Sequence, residues 1–175
     1  YVEIDVSAEE LAEKLFSCGF EVEELLYLGN KIDRVVVGQV KSLAPHPDSD
    51  HMRVCVVDCG EKYGRDIQIV TGAPNVYEGM KTPCALDNST VCETNPAALE
   101  KNPDGIKKIK KGKLRGVESL GMLCSGEELG INDDFYPGAE TDGLLDLGKD
   151  APVGEDIKKV VGLDDWIFDI SVTAN

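Results

Sequence analysis

Residues 34–60, RVVVGQVKSLAPHPDSDHMRVCVVDCG, contain two β-strand patterns on either side of a loop. The first pattern is rich in valine, which favours strands, and Gly38 in its middle predicts a bulge or a tight bend. The loop is predicted by the prolines and the Asp and Ser residues of APHPDSD. In the second pattern Cys55, Val57 and Cys59 stand at every second position, so we expect them on one face of the strand.

Three more strand patterns follow this stretch. The segment 65–71 predicts a third strand that ends in a turn, and 80–86 predicts a short fourth strand. Pro83 indicates that the fourth strand lies at an edge or begins there, because proline has no N–H for a sheet hydrogen bond. A polar excursion, 93–108, separates it from a fifth strand at 119–125. Five short strands with long polar connections predict a closed barrel of the oligonucleotide-binding (OB) type.

The two ends of the chain have a different pattern from the middle. A capping box that begins at Ser7, SAEE, predicts a helix that ends at Gly19, and the strand pattern FEVEELLYL follows. Near the other end, KDAPVGEDIKKVVG predicts a short helix and DWIFDISV a strand. The expected fold class is therefore mainly β with α+β flanks. A five-stranded OB-fold barrel, 34–148, is inserted into an incomplete, discontinuous α/β domain formed by 1–33 and 149–175.

Charge is distributed unevenly along the chain. The formal net charge is -15, yet residues 101–115 contain seven Lys or Arg and one acidic residue. This basic segment carries +6, so the remaining residues carry -21. A net acidic body repels nucleic acid, so a contact with a polyanion would have to concentrate on the basic segment. The alternative is that its lysines form the solvated edge of a hairpin, because exposed strand edges often carry lysine.

Residues that could support catalysis or bind a metal are few. The six cysteines lie mostly in apolar runs without a second Cys or His pair, so we expect reduced thiols and no zinc site. His46 and His51 share a loop with two aspartates, but no distant cluster of ligands joins them. Cys124 lies at a strand-to-helix turn, where some enzymes hold a nucleophile. No nucleotide-binding glycine motif is present. We predict no catalytic site, no metal site and, because no apolar run reaches about 18 residues, no membrane span.

Several blocks of the sequence resemble one family. RVVVGQVKSLAPHPDSDHMRVCVVDCG, IQIVTGAPNVYEGMKTPCAL and KGKLRGVESLGMLCSGEELGI resemble the tRNA-binding barrel domain of bacterial phenylalanine–tRNA ligase beta subunits. SAEELAEKLFSCGFEVEEL resembles that subunit's first helix, and LDDWIFDISVTAN the start of a segment that continues T-P-N-R-P-D-C in the family. His51 stands where the family usually has lysine, and Ala174 where it has proline. We therefore expect an N-terminal fragment of a beta subunit that contains the OB-type domain.

The resemblance implies a role in an enzyme that attaches phenylalanine to its tRNA with ATP and magnesium. In the family the aminoacylation site lies in the alpha subunit, so the expected partners are tRNA and an alpha subunit, in a cytoplasmic heterotetramer. This fragment itself is expected to hold no cofactor. The matched block also implies that Cys124 completes the barrel core and that Ser125 caps the following turn.

The expected RNA contact is the dense positive part of the basic segment, namely Lys107, Lys108, Lys110, Lys111, Lys113 and Arg115. Base stacking could use only the four aromatic residues of the barrel region, namely Tyr63, Tyr77, Phe135 and Tyr136. Two alternatives stay open from the sequence. One is a stand-alone tRNA-binding protein with an OB fold, and the other is a purely structural assembly module without an RNA contact.

Overall fold

The computed structural model describes residues 3–172, and Ala174 therefore lies outside the described residues. These residues fall into two compact units, bounded as Tyr1–Asn30 with Gly162–Asn175 and as Lys31–Val161. In chain order the elements are α1 (Ala8–Ser17), β1 (Phe20–Tyr27), β2 (Asp33–Pro45), β3 (Arg53–Asp58), β4 (Ile67–Thr71), β5 (Lys81–Cys92), α2 (Pro96–Lys101), β6 (Ile106–Lys108), β7 (Gly112–Leu114), β8 (Val117–Ser119), β9 (Gly121–Leu123), a 3-10 turn (Glu127–Leu129), α3 (Ile157–Val161) and β10 (Trp166–Val172).

The first unit consists of α1 and an antiparallel pair of strands, β1 and β10. The predicted capping box is confirmed: the Glu10 N–H donates to Ser7 Oγ at 3.2 Å, and the Ser7 N–H donates to Glu10 Oε2 at 3.3 Å. Gly19, just beyond the helix, has a φ of 90°, which a glycine adopts without strain. No residue of α1 is buried, so within this unit the helix covers little apolar surface.

The second unit is the barrel. Strand β2 pairs with β3 on one side and β5 on the other, β3 pairs with β4, and β5 pairs with β9, all antiparallel. The Leu120 N–H, just before β9, donates to the Gln68 carbonyl of β4 at 2.8 Å and brings the last strand back towards the sheet edge. These five strands form a nearly closed barrel, which confirms the predicted fold class of a mainly β protein with an OB-fold barrel.

The barrel core confirms the face predicted for β3, because Cys55, Val57 and Cys59 are all fully buried. Of the predicted bulge or tight bend at Gly38, the bulge is not at this residue: pairing with β5 is regular from Val35 to Gln39, and the register shift with β3 lies between Val40 and Ser42. A Cβ at Gly38 would come within 2.7 Å of Val57 Cγ1 and 2.9 Å of the Cys84 Cβ. The glycine is therefore explained by the close approach of neighbouring side chains inside the barrel.

Strand β5 differs most from the prediction, which had a short strand at 80–86. It runs for 12 residues and lies between β2 and β9, so it is not an edge strand along that part. Pro83 is its third residue, which agrees with the predicted strand start, and the Pro83 carbonyl accepts a hydrogen bond from the Cys124 N–H at 2.9 Å. Proline is compatible with this position because only its carbonyl is used there.

The polar excursion between β5 and β9 is partly ordered. It contains α2, in which the Asn95 side chain accepts a hydrogen bond from the Ala97 N–H and Pro96 occupies the first turn. It also contains β6, which pairs with the end of β5. The excursion therefore extends the sheet by one strand rather than standing free of it.

The segment 149–161 contacts the barrel. The Val37 N–H donates to the Glu155 carbonyl at 2.9 Å, the Gly154 N–H donates to the Val37 carbonyl at 2.8 Å, and Ile157 of α3 is fully buried. The compact units are thus bounded differently from the predicted domains, and the boundaries at 33/34 and 148/149 stay a prediction. Within residues 3–172, no helix is long and apolar enough to cross a membrane.

Candidate nucleic-acid interface

The basic segment forms one side of the barrel rim. Strand β6 pairs with β5 so that Lys107 faces Val91 and Lys108 faces Thr90. Lys107 is half-buried and Lys108 is exposed, because successive side chains of a strand point to opposite faces. Ile109, directly after β6, is buried and fixes the segment to the barrel.

Strands β7 and β8 form a hairpin that carries Lys113 and Arg115, while Lys110 and Lys111 lie in the connection between β6 and β7. The hairpin's two connecting residues, Arg115 and Gly116, have φ angles of 48° and 83°. Two positive φ angles in succession are typical of the two-residue turns whose twist matches that of the strands. Lys113 of β7 lies opposite Glu118 of β8 across the hairpin, and both side chains are exposed.

The loop that contains His46 anchors this hairpin on one side. The Asp48 N–H donates to His46 Nδ1 at 3.0 Å, so Nε2 carries the ring proton and donates to the Leu114 carbonyl at 2.9 Å. Arg115 Nη1 donates to the Asp48 carbonyl at 3.1 Å. Both nitrogens of the buried His46 ring are thus engaged with the backbone, which assigns this histidine a structural role.

The other side of the hairpin is fixed to β4. The Val70 N–H donates to Ser119 Oγ at 3.1 Å, and the Gln68 side-chain amide donates to the Glu118 carbonyl at 2.8 Å. The hairpin is therefore held between the His46 loop and β4 by hydrogen bonds from both neighbours. These contacts fix the backbone from which Lys113 and Arg115 project.

A groove of about 280 Å³ lies between β6 and the hairpin. Lys107, Lys108, Lys110 and Lys113 line it, and its floor is apolar, with Ile109, Leu114, Met122 and Val70. We call it the lysine groove. The three ion pairs found among residues 3–172 involve none of the six predicted RNA contacts. Their positive charges are therefore not neutralised by a nearby carboxylate in an ion pair.

The structure brings four of the six predicted residues to the lysine groove and places the other two beside it. Arg115 lies at the hairpin tip against the His46 loop. Lys111 is exposed, and its backbone N–H donates to Asp87 Oδ1 at 2.8 Å. In OB folds, nucleic acid binds between the loop joining the first two strands and the loop joining the last two. The His46 loop and the basic segment occupy these two positions.

One known family of domains matches most of the barrel unit. The family described as "Putative tRNA binding domain" matches residues 35–156. The chain belongs to this family of tRNA-binding domains.

Curated relatives extend the match beyond the barrel. The phenylalanine–tRNA ligase beta subunit of Clostridium acetobutylicum is 43% identical over all of this chain, which covers 20% of that protein. The beta subunit of Ralstonia nicotianae is 46% identical, again over all of this chain and 20% of its own length. The predicted resemblance to beta subunits is confirmed, and the chain spans about one fifth of the relatives it matches. Among solved structures, a MetRS related protein from Pyrococcus horikoshii matches with a TM-score of 0.41 and 22% identity, over 69% of this chain and 84% of that chain.

Cys124 lies in the wall of this tRNA-binding-family barrel, as predicted for a core residue. It is fully buried, its Sγ donates weakly to the Met122 carbonyl at 3.7 Å, and burial raises the pKa of its thiol well above the ordinary value. A thiol with a raised pKa holds little thiolate near neutral pH, so it is a poor nucleophile. Ser125 accepts a hydrogen bond from the Glu128 N–H at 3.3 Å, which confirms the predicted cap.

Sequence reasoning missed the residues that position the hairpin. His46 was considered as a metal ligand, whereas its partner Leu114 lies 68 residues away in the chain. Ser119 and Gln68 likewise act through contacts that no local pattern encodes. Among the described residues, no group of three or more His, Cys, Asp or Glu side chains is arranged to hold a metal ion.

Proposed function

We propose that this chain is the N-terminal tRNA-binding and assembly region of a phenylalanine–tRNA ligase beta subunit. The observation that carries the proposal is the identity of 43% with such a subunit over the entire chain, the first unit as well as the barrel. A barrel that had been recruited alone would share identity only over the barrel.

The parent enzyme would attach phenylalanine to its tRNA, using ATP and magnesium, in the cytoplasm. It would be a heterotetramer of beta and alpha subunits, with the aminoacylation site in the alpha subunit. The chain described above would then hold no cofactor and would contribute RNA contact and assembly. Accordingly, we expect no phenylalanine-dependent exchange of pyrophosphate into ATP by the purified chain, and measurable exchange would contradict this division of roles.

The RNA contact would be made by the lysine groove and its neighbours, Lys111 and Arg115. Phosphate groups are the ligands that lysine ammonium groups bind as point charges, and each phosphate neutralised releases counterions from the nucleic acid. The apolar floor has no aromatic residue, so the groove offers contacts to the RNA backbone rather than to bases. The -21 carried outside the basic segment opposes approach. We therefore expect weak binding by the isolated chain, with a Kd of about 10⁻⁴ to 10⁻⁶ M.

Titration of tRNA at two salt concentrations tests this contact. The variant carries alanine at Lys107, Lys108, Lys110 and Lys111, and it should bind more weakly and with a salt slope smaller by about 3. The matched control removes four lysines elsewhere, namely Lys14, Lys41, Lys149 and Lys159. It should retain both the affinity and the slope. Equal affinity of wild type and groove variant, or binding without salt dependence, would exclude the lysine groove.

An assembly role without RNA contact is the second candidate, and the first unit favours it. Phe16, Ile167 and Val172 are 72%, 49% and 74% exposed, so three large apolar residues of this unit are accessible to a partner. If the tRNA titration excludes the lysine groove, the chain would serve the enzyme through this apolar surface. Replacing Phe16 and Ile167 with serine should then weaken co-purification of the full-length beta subunit with its alpha subunit, while the groove variant should not.

A further inference from the structure

A second cluster of positive charge lies next to the lysine groove, on a different part of the barrel. Arg34 at the start of β2, and Lys62 with Tyr63 in the connection between β3 and β4, line a cavity of about 260 Å³. Asp87 of β5 and the apolar side chains of Ile67, Leu86 and Leu120 complete its wall. We call this cavity the Tyr63 pocket.

The two cations of the pocket are available to a ligand. Arg34 uses only Nε, which donates to the Asp87 carbonyl at 3.3 Å, and its two terminal nitrogens have no hydrogen-bond partner among the described residues. Lys62 is exposed and makes no ion pair there; its Nζ lies 5.0 Å from the centre of the Tyr63 ring. Arg34 also has a φ of 56°, a conformation rare for a residue with a long side chain and often kept at functional positions.

Tyr63 gives the pocket a rigid aromatic surface. Its ring is half-buried and packs against the barrel core, which holds it in place. Lys62 lies over the ring, and this flexible, exposed side chain could swing aside to let a planar ligand stack there. Aromatic rings stack on nucleic-acid bases regardless of sequence, because every base has a π face.

The other aromatic residues of the barrel unit are less suited to this task. The Tyr77 hydroxyl is engaged with the Asp146 carboxylate at 2.6 Å. Phe135 and Tyr136 directly follow the aspartates at 133–134, whose charges repel a phosphate. Tyr63, by contrast, shares a cavity with two cations, Arg34 and Lys62.

Asp87 connects the pocket with the basic segment. Its carbonyl accepts from Arg34, and its Oδ1 accepts from the Lys111 N–H at 2.8 Å. Its other carboxylate oxygen lies 3.4 Å from the Asn88 side-chain amide. Both oxygens of this single acidic group in the pocket are thus already in contact with protein donors. Asp87 thus contacts both Arg34 of the Tyr63 pocket and the backbone of Lys111 in the basic segment, which connects the pocket with that segment.

From this juxtaposition we propose that the Tyr63 pocket binds one unpaired nucleotide of an RNA strand. The base stacks on the Tyr63 ring, and Arg34 and Lys62 bind its phosphate. The inference rests on the proposed function, because the lysine groove would hold the phosphates of the adjoining nucleotides. It adds a contact that depends on an exposed base, which the groove alone does not provide.

The test compares an octameric single-stranded oligouridylate with an RNA duplex of the same length, titrated into the full chain. Tyr63→Leu keeps an apolar side chain against the core and removes the ring. We expect it to lower affinity for the single strand by about five- to hundredfold and to leave duplex affinity unchanged. Tyr63→Phe, which keeps the ring, should bind both as the wild type does.

Charge variants test the phosphate contact. Arg34→Asn tolerates the positive φ, and Lys62→Gln keeps most of the side-chain stem; each should reduce the salt slope for the single strand by about 0.7. Lys159→Gln removes an exposed lysine far along the chain and should have no effect. Circular dichroism of each variant shows whether it is folded. If Tyr63→Leu does not fold, cross-linking of a 5-iodouridine oligonucleotide to the wild type tests the proposal instead. We expect a cross-link at Tyr63. Its absence would overturn the proposal.

The outcomes separate this inference from the proposed function. If the groove variant loses affinity while Tyr63→Leu binds the single strand normally, the lysine groove stands and the Tyr63 pocket is excluded. If Tyr63→Leu loses single-strand affinity while the groove variant does not, the pocket stands and the groove is excluded. If Tyr63→Leu lost affinity for the single strand and for the duplex equally, the proposal that a base stacks on Tyr63 would be overturned. No RNA binding by the wild type would overturn both proposals.

Discussion

The interior of the barrel is closely packed, whereas the lysines of the basic segment on its rim are exposed to solvent. Inside, Gly38 has no room for one additional carbon, and Cys55, Cys84 and Cys124 are fully buried. On the rim, Lys108 and Lys110 are exposed and make no ion pair among the described residues. Interior residues are therefore determined by packing, whereas rim residues leave their charge available to a partner. Substitutions in the two regions should change stability and RNA affinity separately.

The largest expected effect is on stability, from Gly38→Ala. The new Cβ would lie 2.7 Å from Val57 Cγ1 and 2.9 Å from the Cys84 Cβ, so part of the barrel wall must shift. Overpacking of this kind should lower the free energy of unfolding by about 3 kcal/mol, measured by urea unfolding followed by circular dichroism. Gly72→Ala is the matched control, because nothing lies within 4 Å of a Cβ there. If Gly72→Ala lost as much free energy of unfolding, close packing around Gly38 would not be the cause of the loss in Gly38→Ala.

Cys124→Ser should have the next largest effect. The hydroxyl would be fully buried in a site fitted to the larger sulfur, where the Met122 carbonyl lies 3.7 Å from the present sulfur. We expect a loss of about 2 kcal/mol in the free energy of unfolding. A thiol reagent should also label Cys124 far more slowly in the folded protein than in denaturant, whereas the exposed Cys18 should react at similar rates in both. Fast labelling of folded Cys124, located by mass spectrometry, would contradict its role in the core.

Local patterns predicted the parts of the fold that depend on neighbouring residues. The capping box of Ser7 and Glu10 involves residues three positions apart, and the burial of Cys55, Val57 and Cys59 follows from strand alternation. The five strands and their OB-type closure followed from the spacing of strand patterns and the long polar connections. Asn95 followed by Pro96 is also a helix-start signal in the sequence, although the prediction for 93–108 is a polar excursion without a helix.

The remaining features depend on contacts between residues far apart in the chain. Gly38 carries the sequence signal of a bulge, and only Val57 and Cys84 beside it reveal that close packing is the reason. The anchor between His46 and the hairpin, and the gathering of Arg34 with Tyr63, bring together residues that no periodicity relates. Sequence reasoning could therefore name the basic segment as a candidate, but it could not show which of its residues share a groove.

The interior should also make stability sensitive to alkaline pH. Burial raises the pKa of the Cys55 thiol from 9.0 to about 11. The unfolded chain releases this proton at a lower pH, so the contribution of Cys55 is fully present below pH 9 and is lost as the pH rises to about 11. Across that window the free energy of unfolding should fall by about 1.4 kcal/mol per pH unit through this group.

Urea unfolding at several pH values between 8 and 11 measures this dependence, with Cys55→Val as the comparison. The variant should show a shallower decline because it lacks the thiol. The hydrogen bond with Cys59, together with burial, raises the pKa of the Cys84 thiol, and burial raises that of Cys124. Because the unfolded chain releases both protons near pH 9, part of the decline should persist in the variant across the same pH range. Identical pH profiles for wild type and variant would show that Cys55 is not protected from ionisation.

The smallest expected effect distinguishes residues within the basic segment. Arg115 lies at the hairpin turn with a φ of 48°, and its Nη1 already donates to the Asp48 carbonyl, whereas Lys108 has no such partner among the described residues. Arg115→Asn keeps a residue that tolerates this φ, so the free energy of unfolding should change by about 0.5 kcal/mol or less. Lys108→Gln should reduce the salt slope of tRNA binding by roughly 0.7–0.9. Arg115→Asn should reduce the slope by less than half of that amount, because part of the Arg115 guanidinium is already hydrogen-bonded to the protein. Parallel titrations of the two variants against wild type measure the difference. A larger slope change for Arg115→Asn than for Lys108→Gln would place the RNA at the hairpin tip rather than in the lysine groove, and would show that the hydrogen bond to Asp48 gives way when RNA binds.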